Sequence, residues 1–191
     1  MKKCLEKFVL FLHKKYGITP NILTYFRIFA APWLALLISK IISHKSFPLA
    51  IITLFIYFLI ISTDLFDGIL ARVLPKNDHS QGGMLDRLAD KILIIFILIP
   101  FGFNLFTFLI ISAESILAFQ ALFSPAHKKQ AVLAGKIKMI LQTFLIPILI
   151  LQITTNFIPD MLVYLYIIIT IVATYTSLYS HYSHFFYFKN D

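Results

Sequence analysis

Cysteine and acidic residues are both scarce in this sequence. Cys4 is the single cysteine, which excludes an intramolecular disulfide framework. Asp and Glu together account for only 9 of the 191 residues, against 17 Lys and Arg, and the formal net charge is +8. Residues 46–63 and 92–113 contain no Asp, Glu, Lys or Arg. Such uncharged stretches are difficult to reconcile with a soluble domain.

Apolar residues are correspondingly abundant. They make up 59% of the chain, and the mean hydropathy is +0.85. A soluble domain of this size could not bury so much apolar surface, so we predict an all-α polytopic membrane protein. The apolar segments predict six transmembrane helices, at about residues 20–40, 48–73, 82–100, 105–123, 134–155 and 159–188. Basic residues cluster between these segments, which indicates anionic lipid head groups and membrane topology as their partners, with no nucleic acid.

Residues 1–16 differ from the rest of the chain. Their lysines interrupt any apolar core of a signal peptide. The apolar residues recur at helical spacing, at Leu5, Phe8, Val9, Leu12 and Tyr16. We therefore predict an amphipathic helix that lies at the membrane interface. No repeat, low-complexity tract or second domain is evident, so residues 1–191 are predicted to form one domain.

Five of the nine acidic residues lie in one window, residues 64–91. Acidic groups beside lipid are energetically costly and are usually functional. Asp64 and Asp67 are three residues apart and share a helix face, and Asp86 and Asp90, four apart, share a face of the next helix. If the two helices pair, four carboxylates converge, and divalent cations would relieve their repulsion. All-oxygen ligands favour Mg²⁺ or Mn²⁺, and two such ions can clamp a phosphoryl group.

Small residues accompany these acids. Gly68 follows Asp67 directly, Ala71 lies on the same side, and Gly82 leaves a face of the next helix bare. Arg72 offers a planar fork of donors for phosphate. The pattern predicts that a flat, phosphorylated group enters between the two helices.

The spacing of this window resembles the signature of the CDP-alcohol phosphatidyltransferase family. It reads Asp-x2-Asp-Gly-x2-Ala-Arg, nine residues, then Gly-x3-Asp-x3-Asp. All eight signature positions are filled, by Asp64, Asp67, Gly68, Ala71, Arg72, Gly82, Asp86 and Asp90. The signature at 64–90 therefore carries the resemblance. The predicted topology resembles that of the family over nearly the whole chain.

The resemblance implies transfer of a phosphatidyl group from CDP-diacylglycerol to an alcohol, with release of CMP. It implies two Mg²⁺ or Mn²⁺ ions held by Asp64, Asp67, Asp86 and Asp90, with Asp90 also a candidate general base. It implies that the cytidine diphosphate is bordered by Asp64, Gly68, Ala71, Arg72, Gly82 and Asp86. A homodimer is also implied by the family alone.

The acceptor is suggested by shorter matches. Pro20-Asn-x2-Thr24-x2-Arg27 resembles the opening of the bacterial phosphatidylglycerophosphate synthase branch, which uses sn-glycerol 3-phosphate. Gly135-Lys136-x-Lys138-x3-Gln142 is similar to a pattern of phosphatidylglycerophosphate and cardiolipin synthases. These resemblances imply that Arg27, Lys136 and Lys138 bind the acceptor phosphate.

Two departures from that branch keep other acceptors open. Arg87 stands where the branch usually has proline, and Ala113 precedes Glu114 where it usually has arginine. Phosphatidylglycerol, as in a cardiolipin synthase, or another polyol phosphate is the alternative acceptor. A divalent-ion transporter is the alternative class, but transport acids usually lie near the bilayer midplane on broken helices.

Two charged residues inside predicted spans need partners. Arg27 either pairs with an anion or extends to the interface, and Glu114 pairs with Arg27 or a lysine, or contacts substrate. The excess of basic residues on one side, against Lys40 and Lys45 on the other, predicts cytoplasmic termini and a cytoplasmic active site. We expect a bacterial inner-membrane protein.

Overall fold

The computed structural model of this chain describes residues 19–73, 82–123 and 133–187, together with residues 11, 15 and 17. Within these residues the regular structure is helical and includes no strand. The six long helices are α1 (Pro20–His44), α2 (Phe47–Val73), α3 (Gly82–Leu98), α4 (Leu105–Phe123), α5 (Leu133–Thr155) and α6 (Asp160–Tyr187). The predicted all-α class is confirmed.

Five of these helices are long and apolar enough to cross a membrane. The apolar stretches are Pro20–His44, Phe47–Leu70, Leu105–Leu122, Leu133–Thr155 and Asp160–Ser183. The remaining helix, α3, has 17 residues and continues into a 3₁₀ turn at Ile99–Phe101. Together they extend about 30 Å, the thickness of a bilayer core. The structure is therefore that of a polytopic membrane protein.

The predicted amphipathic helix at residues 1–16 lies mostly outside the described residues. Only Phe11 and Lys15 are described there, and both are helical. The Lys15 ammonium lies 5.4 Å from the centre of the Phe11 ring, a cation–π distance.

Tight turns join α1 to α2 and α5 to α6. Pro20 occupies the first turn of α1, where its missing N–H leaves no hydrogen bond unmade. Lys45 ends α1 with a left-handed backbone (φ 47°), and its N–H donates to the Ile41 carbonyl at 2.7 Å. Asn156 ends α5 in the same way, at φ 53°. Because these turns reverse the chain within a few residues, each pair of helices is antiparallel.

The centre of the bundle is α1, which packs against α2, α3 and α5. Its buried apolar residues Ala31, Leu34, Ile38 and Ile41 are three or four residues apart and form one stripe. Opposite this stripe, Phe29 and Trp33 keep 71% and 70% of their surface exposed. An apolar exterior over a packed apolar core suits a lipid environment.

The buried charged groups lie toward one end of the bundle. Successive helices alternate in direction, so this end contains the starts of α1, α3 and α5 and the ends of α2 and α4. The charged residues found there are Arg27, Asp64, Asp67, Asp86, Asp90, Glu114 and Lys138.

Candidate active site

Four aspartates from two helices converge on one arginine from a third. Arg27, on α1, is fully buried. Its Nη1 donates to Asp64 Oδ1 at 2.9 Å and to Asp90 Oδ1 at 2.5 Å. Its Nη2 donates to Asp67 Oδ2 and Asp86 Oδ1. These four aspartates, which we call the carboxylate cluster, confirm that the two halves of the signature meet in space.

The charges in the carboxylate cluster do not balance. Arg27 pairs with all four carboxylates, and Arg87 and Lys91 interact electrostatically with Asp86 and Asp90, so four carboxylates face three cationic side chains. Repulsion between like charges at this spacing is substantial in a medium of low dielectric constant. The cluster therefore has the electrostatics of a site that binds further cations.

The geometry also fits a hard metal ion. Carboxylate oxygens of Asp64, Asp67 and Asp86 all lie within 4.8 Å of one another. Asp67 is buried, whereas Asp64, Asp86 and Asp90 keep between 27% and 36% of their side-chain surface exposed. An all-carboxylate set with access from outside is suited to Mg²⁺ or Mn²⁺. Asp90 is not part of this group of three, although it shares Arg27 with them.

Of the small residues predicted beside this cluster, Gly68 is the one whose surroundings are described. A Cβ built on Gly68 would meet no heavy atom within 4 Å, so open space lies beside Asp67 on α2. The helix α2 continues through Ala71 and Arg72, and α3 begins at Gly82. The side chains of Ala71 and Arg72 and the surroundings of Gly82 lie outside the described part of the structure.

A second buried polar group joins α4, α5 and α6. The Nζ of Lys138 donates to both carboxylate oxygens of Glu114, at 2.7 and 3.0 Å. The Nε2 of Gln142 donates to Glu114 Oε1 at 2.6 Å and lies 3.3 Å from Thr174 Oγ1. These four residues, which we call the Glu114 network, are all at least 94% buried. Glu114 thus pairs with a lysine, one of the partners predicted for it, and Arg27 pairs with the signature aspartates.

The two lysines predicted at the acceptor site are not in equivalent surroundings. Lys138 is buried in the Glu114 network, whereas Lys136 is exposed. Residues two apart on a helix point in different directions. Lys91, on α3, interacts electrostatically with Asp90 on one side and with Glu114 and Lys138 on the other. It therefore connects the two polar groups.

Sequence reasoning missed the contribution of α6. Thr170, Thr174 and Ser177 are each less than 2% exposed. Their spacing of four and three residues places them on one helix face, and this spacing was the available signal. Ser177 Oγ would lie 3.7 Å from a Cβ on Gly135, so the same face packs closely against the start of α5.

The chain is similar to a known protein family and, over part of its length, to a known enzyme. The family model described as CDP-alcohol phosphatidyltransferase matches residues 17–180. A CDP-diacylglycerol–glycerol-3-phosphate 3-phosphatidyltransferase from Cereibacter sphaeroides is 43% identical over 83 residues, which cover 42% of this chain and 34% of that relative. The match thus spans about a third of the relative's length. No solved structure matches.

Proposed function

This chain belongs to the CDP-alcohol phosphatidyltransferase family, and we propose that it transfers the phosphatidyl group of CDP-diacylglycerol to sn-glycerol 3-phosphate. The products are phosphatidylglycerophosphate and CMP. The observation that carries the proposal is the carboxylate cluster, in which α2 and α3 bring all four signature aspartates onto Arg27. The family match over residues 17–180 supports head-group transfer as the reaction class.

The carboxylates of Asp64, Asp67 and Asp86 would hold two Mg²⁺ or Mn²⁺ ions, with Asp90 as a further ligand. When bound, these ions supply charge neutralisation for the diphosphate and for the departing CMP. The open space beside Gly68 supports entry of the cytidine diphosphate between α2 and α3. Ala71, Arg72 and Gly82 follow in the signature and are proposed to border the same group.

The chemical step is a displacement at the phosphorus that carries the diacylglycerol. The acceptor hydroxyl oxygen forms a new bond to that phosphorus, the bond to the CMP oxygen breaks, and CMP leaves. We assign Asp90 as the base that takes the hydroxyl proton, because it lies in the carboxylate cluster but outside the group of three. Its 27% side-chain exposure supports access by an acceptor.

The acceptor phosphate is proposed to lie near Arg27, Lys136 and Lys138. The Nε of Arg27 is buried and has no hydrogen-bond partner among the described residues. A buried guanidinium donor without a partner is unfavourable, and a phosphate oxygen would satisfy it. The name of the Cereibacter sphaeroides relative is consistent with glycerol 3-phosphate as this acceptor.

We further propose a homodimer in a bacterial inner membrane, with the site on the cytoplasmic face. The described basic residues Arg87, Lys91, Lys136 and Lys138 lie toward the site end of the bundle, which supports this orientation by the positive-inside rule. CDP-diacylglycerol would have its acyl chains in the bilayer beside that face. Light scattering of the purified protein in detergent would test the dimer.

The reaction is tested by CMP release from CDP-diacylglycerol by the purified protein in detergent, with Mg²⁺ or Mn²⁺. Release that requires both metal and glycerol 3-phosphate is the expected result. Release with phosphatidylglycerol in place of glycerol 3-phosphate would keep the chemistry and change the acceptor. A folded protein that releases no CMP with either acceptor, and instead carries Mn²⁺ across liposomes, would favour a transporter.

A further inference from the structure

We propose that Arg27 is the resting counter-ion of the carboxylate cluster, and that divalent metal displaces its guanidinium and frees it to bind a substrate phosphate. This inference rests on the metal site of the proposed function. Arg27 then has two alternative partners, the aspartates before metal binds and a phosphate afterwards.

Arg27 and a metal ion would bind the same carboxylates. The guanidinium takes one oxygen from each aspartate, and its four Nη hydrogens are matched by four carboxylate partners. A Mg²⁺ ion on Asp64, Asp67 and Asp86 would bind carboxylate oxygens at about 2.0–2.1 Å. Two cations held by the same carboxylates repel each other strongly in a buried site. Occupancy by Arg27 and by metal is therefore competitive.

Exchange of Arg27 for metal would leave the positive charge of Arg27 without a partner. Two divalent ions would neutralise four carboxylates, and the charge of Arg27 would then lack an anionic partner. Arg27 is fully buried, and an unpaired buried charge is strongly unfavourable. A substrate phosphate is the anion that the proposed reaction brings to this place. Metal and phosphate should therefore bind cooperatively, since each removes the other's electrostatic penalty.

Arg27 also has one hydrogen-bond donor that is not used within the described part of the chain. Arg27 Nε has no partner among the described residues even though both Nη groups are fully engaged. The described hydrogen bonds of this side chain are made by its Nη groups, and a new anion could recruit the remaining donor. A long, flexible stem permits the tip to move over a few ångströms without a change in the helix.

The experiment is Mn²⁺ binding to metal-free protein in detergent, without substrate, measured by the electron paramagnetic resonance of free Mn²⁺. We expect Arg27→Gln to bind Mn²⁺ at least tenfold more tightly than the unmodified protein. Lys40→Gln is the control, because it also removes one positive charge from α1 but lies near the other end of that helix, away from the carboxylate cluster. It should stay within twofold of the unmodified protein.

The outcomes separate this inference from the proposed function. Equal Mn²⁺ affinity in Arg27→Gln and the unmodified protein would overturn the displacement while leaving the metal site standing. Equal tightening in both variants would also overturn it, because a general charge effect would then suffice. Failure of every form to bind Mn²⁺ would overturn the metal site and the displacement together.

A measurement on the unmodified protein avoids reliance on the folding of a variant. Phenylglyoxal modifies accessible arginines, and mass spectrometry reports its extent at Arg27. We expect Mn²⁺ to increase modification of Arg27 several-fold, and glycerol 3-phosphate added with Mn²⁺ to reduce it again. Modification that Mn²⁺ leaves unchanged or lowers would contradict displacement.

Discussion

The carboxylate cluster and the Glu114 network lie at the same end of one bundle but are built on different principles. In the network, one carboxylate meets one ammonium, and Gln142 adds a further hydrogen bond to Glu114. In the cluster, four carboxylates share one guanidinium. The network is closed and balanced, whereas the cluster is partly exposed and has excess negative charge.

The difference distinguishes a polar group that is already neutral from one that would take further cations. A buried ion pair that is neutral and hydrogen-bonded needs no ligand to be stable within a membrane protein. A cluster with more carboxylates than cationic side chains is stabilised when further cations bind. Burial of charge alone does not single out the candidate active site of this protein; its excess of carboxylates does.

The largest effect is expected from Asp90→Asn. Loss of the proposed base should reduce CMP release by about 10²–10⁴-fold, because proton transfer from the acceptor then lacks its catalyst. Asp160→Asn is the matched control, since Asp160 begins α6 at the other end of the bundle and is bound by Gln152 at 2.6 Å. That control should retain activity. Full activity in Asp90→Asn would remove Asp90 from the mechanism.

The Glu114 network is tested by Glu114→Gln. The change keeps the shape of the side chain but leaves the buried charge of Lys138 uncompensated, so we expect a loss of about 3–5 kcal/mol in the free energy of unfolding. Reversible denaturation in mixed detergent micelles measures it. The double variant Glu114→Gln/Lys138→Met should recover most of this loss. A single variant as stable as the unmodified protein would mean that the pair is not structural.

A smaller effect is expected from Gly68→Val, which tests whether the open space beside the carboxylate cluster receives a ligand. A Cβ at this position meets no protein atom within 4 Å, so the fold should tolerate the side chain. If cytidine diphosphate occupies this space, kcat/KM for CDP-diacylglycerol should fall about tenfold, or about 1.4 kcal/mol. Gly68→Ala should show a lesser loss. An unchanged kcat/KM in the valine variant would locate the nucleotide elsewhere.

The smallest effect, and one of opposite sign, is expected from Asp86→Asn without metal. Removal of one of the repelling carboxylates should stabilise the protein by about 1 kcal/mol and raise Tm by about 2–4 °C. Added Mn²⁺ should stabilise the unmodified protein more than the variant, because the variant binds it more weakly. A Tm loss as large as that of Glu114→Gln would show that the two polar groups are energetically alike.

Local sequence information determined the fold class and the four aspartates of the candidate site. Helix length and apolar composition are properties of contiguous segments, so the transmembrane helices could be predicted without tertiary contacts. The spacing of Asp64 with Asp67, and of Asp86 with Asp90, likewise depends only on helical geometry. The signature therefore identifies these aspartates from local spacing alone, and the family match agrees with that resemblance.

Tertiary structure alone decided which charges pair. Arg27 is 37 residues from Asp64 and 63 from Asp90 in sequence, and Glu114 is 24 from Lys138. Nothing in the local pattern chooses between Arg27 and a lysine as the partner of Glu114, because that choice depends on the rotation and packing of separate helices. Packing of α1 against α2 and α3 brings Arg27 to the aspartates, and packing of α4, α5 and α6 encloses Glu114 with Lys138. The physical reason is that helical periodicity sets the face of each residue, whereas only the packed bundle sets what that face meets.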